Sequence, residues 1–439
     1  MNNIKKILNI IIIMTITNIT QANVEVNYYQ TKNGVKVLYA KSENIPMIDI
    51  KITFDAGSNR DGDLKGLSMI THNLLDEGTT RMSSEDIASI FESTGAIFST
   101  SVNKDQSSIS LRSLTEKKYY NPAIKMFLSI LSDSNFPKKE INLHKQRTIS
   151  SIIEDKTDPG ELSINIFFQE IYNSHPYSSP TIGYEKDIKK INRKAIIEFY
   201  KNFINAGNAS IVIVSSLKDD DVIKLSEKIS QSLNKKTEIN KTKTISKEKT
   251  IEKYVFKKFN SHQAHIYIGG LSIKQGSENQ LPLYVGNYIL GGSGFNARLM
   301  QELRVKRGLT YGVYSYIYPL KELGPFVIGI ETKAEQAQKS IEIIKKMLKD
   351  FLEKGPTDKE INHAKESIIN GFPLRIDSNK DILNYLSMIN YYNLPIDYLN
   401  TFVKKISSIS KKDIISALQK EIDINKMTTL VVGNEKAEK

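Results

Sequence analysis

The sequence predicts an α+β fold of two homologous domains, each a mainly antiparallel sheet packed with helices. Three observations lead there. The chain resembles itself at an offset of roughly 218 to 220 residues, the self-similarity expected of a duplicated unit. Strand-like runs come partly as hairpin-like pairs and helix-like runs follow one another, which fits α+β better than a doubly wound sheet. Between the copies, Asn234 to Lys253 is rich in lysine and poor in apolar residues, the composition of a solvated linker or long surface loop.

The repeat is visible in particular blocks. Lys139-Glu140-Ile141-Asn142-Leu143-His144-Lys145 recurs as Lys359-Glu360-Ile361-Asn362-His363-Ala364-Lys365, each after an amphipathic helical stretch and a proline, Pro137 or Pro356. Ile191 to Ile197 recurs as Ile409 to Ile415. The β-branched runs Ser210 to Val214 and Thr428 to Val432 follow these at matching distances and read as buried strands. Each half opens with a strand, Ile48 to Phe54 and His265 to Gly269. The resulting division is a leader at 1–22, an N-terminal domain at 24–216, a polar connection at 217–255 and a C-terminal domain at 256–435.

The leader has the form of a secretory signal. Lys5 and Lys6 give a basic start, Ile7 to Ile16 an apolar stretch, and Thr20-Gln21-Ala22 small residues where cleavage would fall. A membrane anchor is the rival reading, but Asn9, Thr15, Thr17 and Asn18 interrupt a run that is shorter than the ~20 residues of a span. No other apolar stretch is long enough to cross a bilayer, so the expectation is a periplasmic protein with no membrane span after signal cleavage.

With 439 residues, 40% hydrophobic and 25% charged, the chain has the composition of a globular protein with more than one core. Cysteine is absent, which excludes disulfides, thiolate zinc sites and a cysteine nucleophile together. The net charge of +12 comes from lysines spread along the whole chain. There is no arginine-rich stripe with interleaved aromatics, and no nucleic-acid partner is expected.

The first half carries Asn33-Gly34-Val35-Lys36-Val37, Asp55-Ala56-Gly57-Ser58-Asn59-Arg60-Asp61, Gly66-Leu67 entering a helix, and Glu77-Gly78-Thr79 after it. Gly95-Ala96, His175-Pro176-Tyr177 and Gly183 come later. Together they resemble the opening of the pitrilysin/insulinase family of zinc peptidases, whose architecture is that of the mitochondrial processing peptidase. In that family the helix after Gly-Leu carries the inverted motif H-x-x-E-H. Histidines at i and i+4 share a helix face and grip zinc from adjacent turns, while the glutamate between them polarises the metal-bound water.

Here the three motif positions are Met69, His72 and Asn73, so none keeps the family residue. Thioether and amide are poor zinc ligands. The resemblance places the third ligand in a later helix, in an E-x-E-R/K pattern. The best local match ends at Arg147 and offers His144 and Gln146 where carboxylates are expected. A rearranged site from His72 and His144 is the alternative to two polar residues left in a decayed pocket. His262 and His265 lie at or before a strand, where i and i+3 face opposite sides, and no metal role is expected there. His175 belongs to a structural turn in the family.

The second half contains Gly291-Gly292-Ser293-Gly294-Phe295, Ala297-Arg298-Leu299, and the run Glu302 to Tyr314. A nucleotide-binding loop is excluded because no G-K-[ST] follows the glycines. Leu299 and Leu303 give helical spacing over Asn296 to Lys306, Gly308 is a stop, and Leu309 to Ile317 alternates like a strand. The run resembles the family's C-terminal signature, in which an arginine and a tyrosine seven residues on contact the substrate carbonyl as it becomes tetrahedral. Those residues are Arg304 and Tyr311. Without the resemblance they would read as a surface helix residue and a half-buried strand aromatic.

The resemblance implies a chain that cannot hydrolyse peptides alone yet can complete another chain's site. The expectation is the non-catalytic, Arg304- and Tyr311-supplying subunit of an exported heterodimeric zinc metallopeptidase. No cofactor is expected in this chain, and zinc is expected in a homologous partner subunit. The substrate would be a peptide or unfolded polypeptide. The alternatives are a structural or binding member of the family without peptidase role, and a metallopeptidase with a rearranged zinc site.

Overall fold

The computed structural model describes residues 24–42, 45–235, 242–247 and 251–438; the leader at 1–22 lies outside them. The first half runs β1 (Val26–Gln30), β2 (Lys36–Lys41), β3 (Met47–Phe54), α1 (Leu67–Asn73), α2 (Ser84–Thr94), β4 (Ile97–Val102) and β5 (Ser107–Leu114). It continues with α3 (Lys117–Asp133), α4 (Lys138–Asp155), α5 (Pro159–Tyr172), α6 (Glu185–Lys190), α7 (Arg193–Phe203), β6 (Ala209–Ser215) and α8 (Asp219–Ser232).

The second half runs β7 (Lys253–Lys258), β8 (Gln263–Leu271), α9 (Gln280–Asn287), α10 (Arg298–Met300), β9 (Thr310–Ile317) and β10 (Pro325–Lys333). Then come α11 (Ala337–Lys354), α12 (Asp358–Gly371), α13 (Asn379–Tyr391), α14 (Tyr398–Ser408), α15 (Lys411–Glu421) and β11 (Thr428–Gly433).

The two sheets have one plan. The first is ordered β1-β2-β6-β3-β5-β4 and the second β7-β11-β8-β10-β9. Each has one parallel pair, β2 with β6 and β7 with β11, in a ladder that is otherwise antiparallel. Among the described residues only β1 lacks a counterpart in the second sheet. The repeated Lys-Glu-Ile-Asn blocks open α4 and α12 in the same helical register, two and three residues after their prolines. This is the duplicated α+β architecture expected from the sequence.

One boundary differs from expectation. The span 217–255, read as a polar connection, contributes α8 and the start of β7. Val222, Leu225 and Ile229 of α8 are buried in the first core at helical spacing. The aspartates and lysines on the other faces, and the serines Ser226 and Ser230 buried beside the apolar stripe, give the segment its polar composition, and the first half extends to the end of α8.

The central strands of each sheet are buried on both faces, and the second covering comes from the other half. Ile48, Ile50, Ile52 and Phe54 of β3 pack into the core of their own half. Leu38, Ala40, Val212 and Val214 instead join Leu383, Leu386 and Ile389 of α13 in the second core. Asn390 on α13 donates to the carbonyls of Ile211 (3.1 Å) and Lys36 (3.4 Å). In return α5 sends Phe167, Ile171 and Tyr172 into a third cluster with Leu271, Val327, Leu430 and Val432 of the second sheet. Each such buried side chain contributes roughly 1.5–3 kcal/mol, so neither half keeps its core without the other.

A polar junction fixes how the halves meet. Asp105, in the turn between β4 and β5, is 0% exposed. Its carboxylate accepts hydrogen bonds from the hydroxyl of Tyr177 in the first half, the hydroxyl of Tyr392 (2.9 Å) and the backbone N–H of Lys321 (2.7 Å) in the second. Tyr391 donates to the Asp105 carbonyl at 2.9 Å. Burial pushes the Asp105 carboxyl up from the usual range, and the donated hydrogen bonds work against that rise. Beside it, Lys321 pairs with Asp55 at 2.6 Å, and Asp55 also holds Arg60 at 2.7 Å. Replacing Asp105 with Ala leaves several donors without acceptors in a dry interface. The expected loss is about 3 kcal/mol of unfolding free energy in urea titration; a variant within about 0.5 kcal/mol of wild type refutes this role for the carboxylate.

Candidate functional site

The helix that would carry a metal motif is α1, and its start is set by close packing. Gly66 precedes it with φ of +93°, and a Cβ there would lie 2.6 Å from the Ile182 carbonyl oxygen. Gly183 abuts the same turn at φ +83°, where a Cβ would meet the Lys65 carbonyl oxygen at 2.1 Å. Only glycine fits either position. Asp61 satisfies the N–H groups of Gly66 (2.7 Å) and Ser68 (2.8 Å) at the helix start, although burial pushes its carboxyl up to about 6.

The three motif positions, at i, i+3 and i+4 of α1, differ in exposure. Met69 is half-buried and Asn73 exposed, one turn apart, whereas His72 points into the core at 0% exposure. The His72 Nδ1 lies 2.8 Å from the Ser68 carbonyl oxygen, and the ring meets Phe199 of α7 edge-on with centroids 6.4 Å apart. Nε2 is buried without a hydrogen-bond partner. Burial lowers the His72 pKa to about 4, against a raising contribution from the Ser68 backbone. The side chain is therefore a neutral core imidazole donating from Nδ1.

His144, on α4, is engaged elsewhere. Its Nε2 is 2.6 Å from Glu77 Oε1. Neighbouring Asp76 is pushed up to about 6 by burial and by Glu77, with His144 pulling the other way. Gln146 is exposed. Among the described residues no group of three or more His, Asp or Glu side chains is arranged to hold a metal ion. Zinc does not fit these positions: one nitrogen of His72 is occupied, the other faces packed core, and Met69 and Asn73 supply no zinc-binding chemistry.

His175 starts a short turn, accepting from the Tyr177 N–H at 3.2 Å through Nδ1, with Nε2 2.7 Å from the Lys243 carbonyl. That turn aims Tyr177 at Asp105. His265, in β8, lies 3.8 Å from Glu331.

The second half arranges its signature differently. After α9 the chain passes through a π-helical turn at Tyr288–Gly292, where a Cβ on Gly291 would sit 2.4 Å from the Ser315 hydroxyl oxygen. The glycines let this segment lie against β9, and Asn287 holds Ser315 through both its carbonyl (3.0 Å) and its hydroxyl (2.7 Å). The helix expected over Asn296 to Lys306 is α10 followed by a π-helical stretch at Gln301–Lys306, a widening common at functional sites. Gly308, at φ +62°, ends it by donating to the Arg304 carbonyl at 3.0 Å.

Arg304 and Tyr311 are brought together. The Arg304 guanidinium donates to the Tyr311 carbonyl and lies 4.7 Å from the centroid of the exposed Phe295 ring. Tyr311 is 83% exposed on β9, the edge strand of its sheet. Neighbouring cations are neutralised: Arg298 pairs with Glu360 at 2.6 Å and holds that carboxyl down at about 2, and Lys306 and Arg307 pair with Glu302. Arg304 has no carboxylate partner among the described residues. Sequence reasoning did not identify Phe295 as the platform for this guanidinium; its place at the end of the glycine run was the available signal. Asp105 gave no signal, being one acid in an ordinary turn.

Comparison with known proteins places these features. Residues 36–184 match the family model for insulinase (peptidase family M16), and residues 190–368 match that for the peptidase M16 inactive domain. A crystal structure of a peptidase M16 inactive domain from Pseudomonas fluorescens is similar at 31% identity and a TM-score of 0.90, over 95% of this chain and 100% of that one. The Helicobacter pylori protein named non-peptidase homolog YmxG is 26% identical over 92% of this chain and 93% of its own. An uncharacterized zinc protease YmxG of Bacillus subtilis is 24% identical over 80% and 84%.

Two outcomes follow from the first-half geometry. His72 has a folded pKa of about 4 and an unfolded value near 6.5. Its contribution to stability is therefore complete above pH ~6.5 and is lost as pH falls toward 4, by up to about 3 kcal/mol. His72→Leu should remove this loss, so the gap between wild type and variant in urea titrations should shift by that amount between pH 7 and pH 4. The raised carboxyls of Asp61 and Asp76 act with opposite sign in the same window but cancel in the comparison; parallel profiles contradict a neutral buried His72. After equilibration with zinc and dialysis, the chain should hold well under one equivalent by metal analysis. Stoichiometric zinc that His144→Ala abolishes contradicts this geometry.

Proposed function

The chain belongs to the insulinase (M16) peptidase family, as a member whose zinc motif is replaced, and from this we propose that it is the Arg- and Tyr-supplying subunit of a heterodimeric zinc peptidase. The partner is a homologous chain with an intact zinc motif, and the substrate is a peptide or unfolded segment. The leader at 1–22 would take the chain across the inner membrane to the periplasm.

The observation that carries this reading is the state of one side-chain pair. Arg304 is left unneutralised where the cations around it are paired, and Tyr311 stands 83% exposed on an edge strand beside it. Exposing an aromatic and leaving a guanidinium unpaired gives this chain no stability of its own. Both groups gain if a partner covers them and a substrate carbonyl arrives. Arg304 is held from behind by Phe295 and by the Tyr311 carbonyl, so its position is set before the substrate enters. The two donors can then stabilise the carbonyl oxygen as it gathers negative charge, without reorganisation at that moment. Bound in the partner, zinc would activate the attacking water.

The second reading is a binding or structural role without peptidase function, favoured by the name of the Helicobacter pylori relative, a non-peptidase homolog. The two readings separate when this chain is mixed with the zinc-bearing homologue of its genome and assayed on a quenched peptide. Arg304→Ala or Tyr311→Phe should lower kcat of the assembled pair by about 100-fold, with assembly on size exclusion unchanged. Full activity of the homologue alone, or indifference of the pair to both substitutions, removes the supplying role.

A further inference from the structure

The second half contains an open cavity of ≈ 420 Å³ that neither Arg304 nor Tyr311 lines. It lies between α9, β9, α13 and α14, with walls of Tyr284, Tyr288, Tyr385, Tyr398 and Phe402. Arg375 stands in its lining. Its Nη1 donates to the Tyr284 hydroxyl at 2.8 Å, its guanidinium carbon is 5.9 Å from that ring's centroid, and it also meets the Tyr385 hydroxyl. No carboxylate lines the cavity, and among the described residues Arg375 is engaged by tyrosine hydroxyls and not by an acid.

We propose that this cavity receives the carboxy-terminal residue of a peptide, with an apolar or aromatic side chain between the tyrosine rings and the terminal carboxylate on Arg375. The volume suits one large side chain with its main chain. Tyrosine walls give a large apolar contact area with polar tips, at small entropic cost. A guanidinium without an acid is the group that a carboxylate engages through two parallel hydrogen bonds. Arg375 is exposed at the mouth of the cavity, so a neutral ligand would forgo this contact, and a cationic one would be repelled.

A peptide suits the site better than a free aromatic acid because of what β9 connects. The strand runs from Tyr316 beside the cavity to Tyr311, five residues away, or about 17 Å at ~3.4 Å per residue. An extended peptide held by its last residue spans the same distance and would present a bond about five residues upstream to Arg304 and Tyr311. Anchoring needs this chain alone, whereas the position of the cut rests on the proposed function.

The test is fluorescence anisotropy on the isolated chain, with a labelled hexapeptide ending in Phe prepared as the free acid and as the C-terminal amide. The free acid should bind about 10-fold more tightly or better. Arg375→Gln should abolish that preference while leaving the affinity for the amide unchanged, which also reports that the cavity is intact. Arg375→Lys, which keeps the charge but not the fork, should retain part of it. Equal affinities for acid and amide, no saturable binding of the acid, or a preference that survives Arg375→Gln overturns the anchor. An inactive mixed pair together with an intact acid preference would reject the peptidase partnership and leave the anchor standing.

Discussion

A carboxylate that only the two halves together can satisfy holds the molecule in its one arrangement. Asp105 comes from a turn in the first sheet, and its donors come from Tyr177 on one side and from Lys321 and Tyr392 on the other. In so dry a place a carboxylate without donors is costly, so the halves have one favourable way to meet. The remaining contacts depend on that registration. Lys321 reaches Asp55 from the segment whose N–H binds Asp105. Tyr391 and Tyr392 at the end of α13 set how that helix lies over β2, β3 and β6. The edge strand bearing Tyr311 is carried into place with its sheet.

Within that frame the two copies have kept different things. The first copy keeps the steric scaffold of a metal helix, with Gly66 and Gly183 still packed backbone to backbone and Asp61 still at the helix start. Its chemistry has been absorbed into the core: His72 is neutral, buried and against Phe199. The second copy keeps its chemistry outside the core, in a guanidinium stacked on an exposed ring and a tyrosine on an open edge. The asymmetry is one of burial: the motif histidine of the first copy is in the core, and the signature tyrosine of the second is at the surface.

Much of this was legible in the sequence because it is written locally or repeated. The β-branched runs became β6 and β11, the Lys-Glu-Ile-Asn blocks became the starts of α4 and α12, and the lost motif fell on α1 as the spacing required. Helix α8 was hidden because three aspartates open it and only Val222, Leu225 and Ile229 betray its inner face. The exchange of α5 and α13 between halves was not legible. An amphipathic helix declares that it has an apolar side, but not which of two similar sheets will cover it. Arg304 and Tyr311 could be named from their motif, whereas the neutralisation of nearby Arg298 depends on Glu360, sixty-two residues on in sequence.

The exchange of helices also sets an order of events during synthesis. The first sheet is complete once Ser215 has been made, yet Leu38, Ala40, Val212 and Val214 wait for α13, which ends at Tyr391. At a synthesis rate of ~5–20 residues per second that interval is roughly 10–35 s. Throughout it an apolar face stands open on a nascent chain, a substrate for chaperones and a hazard for aggregation. Duplication gave this protein two copies of one sheet, and the crossing helices made them a single folding unit that cannot be finished one copy at a time.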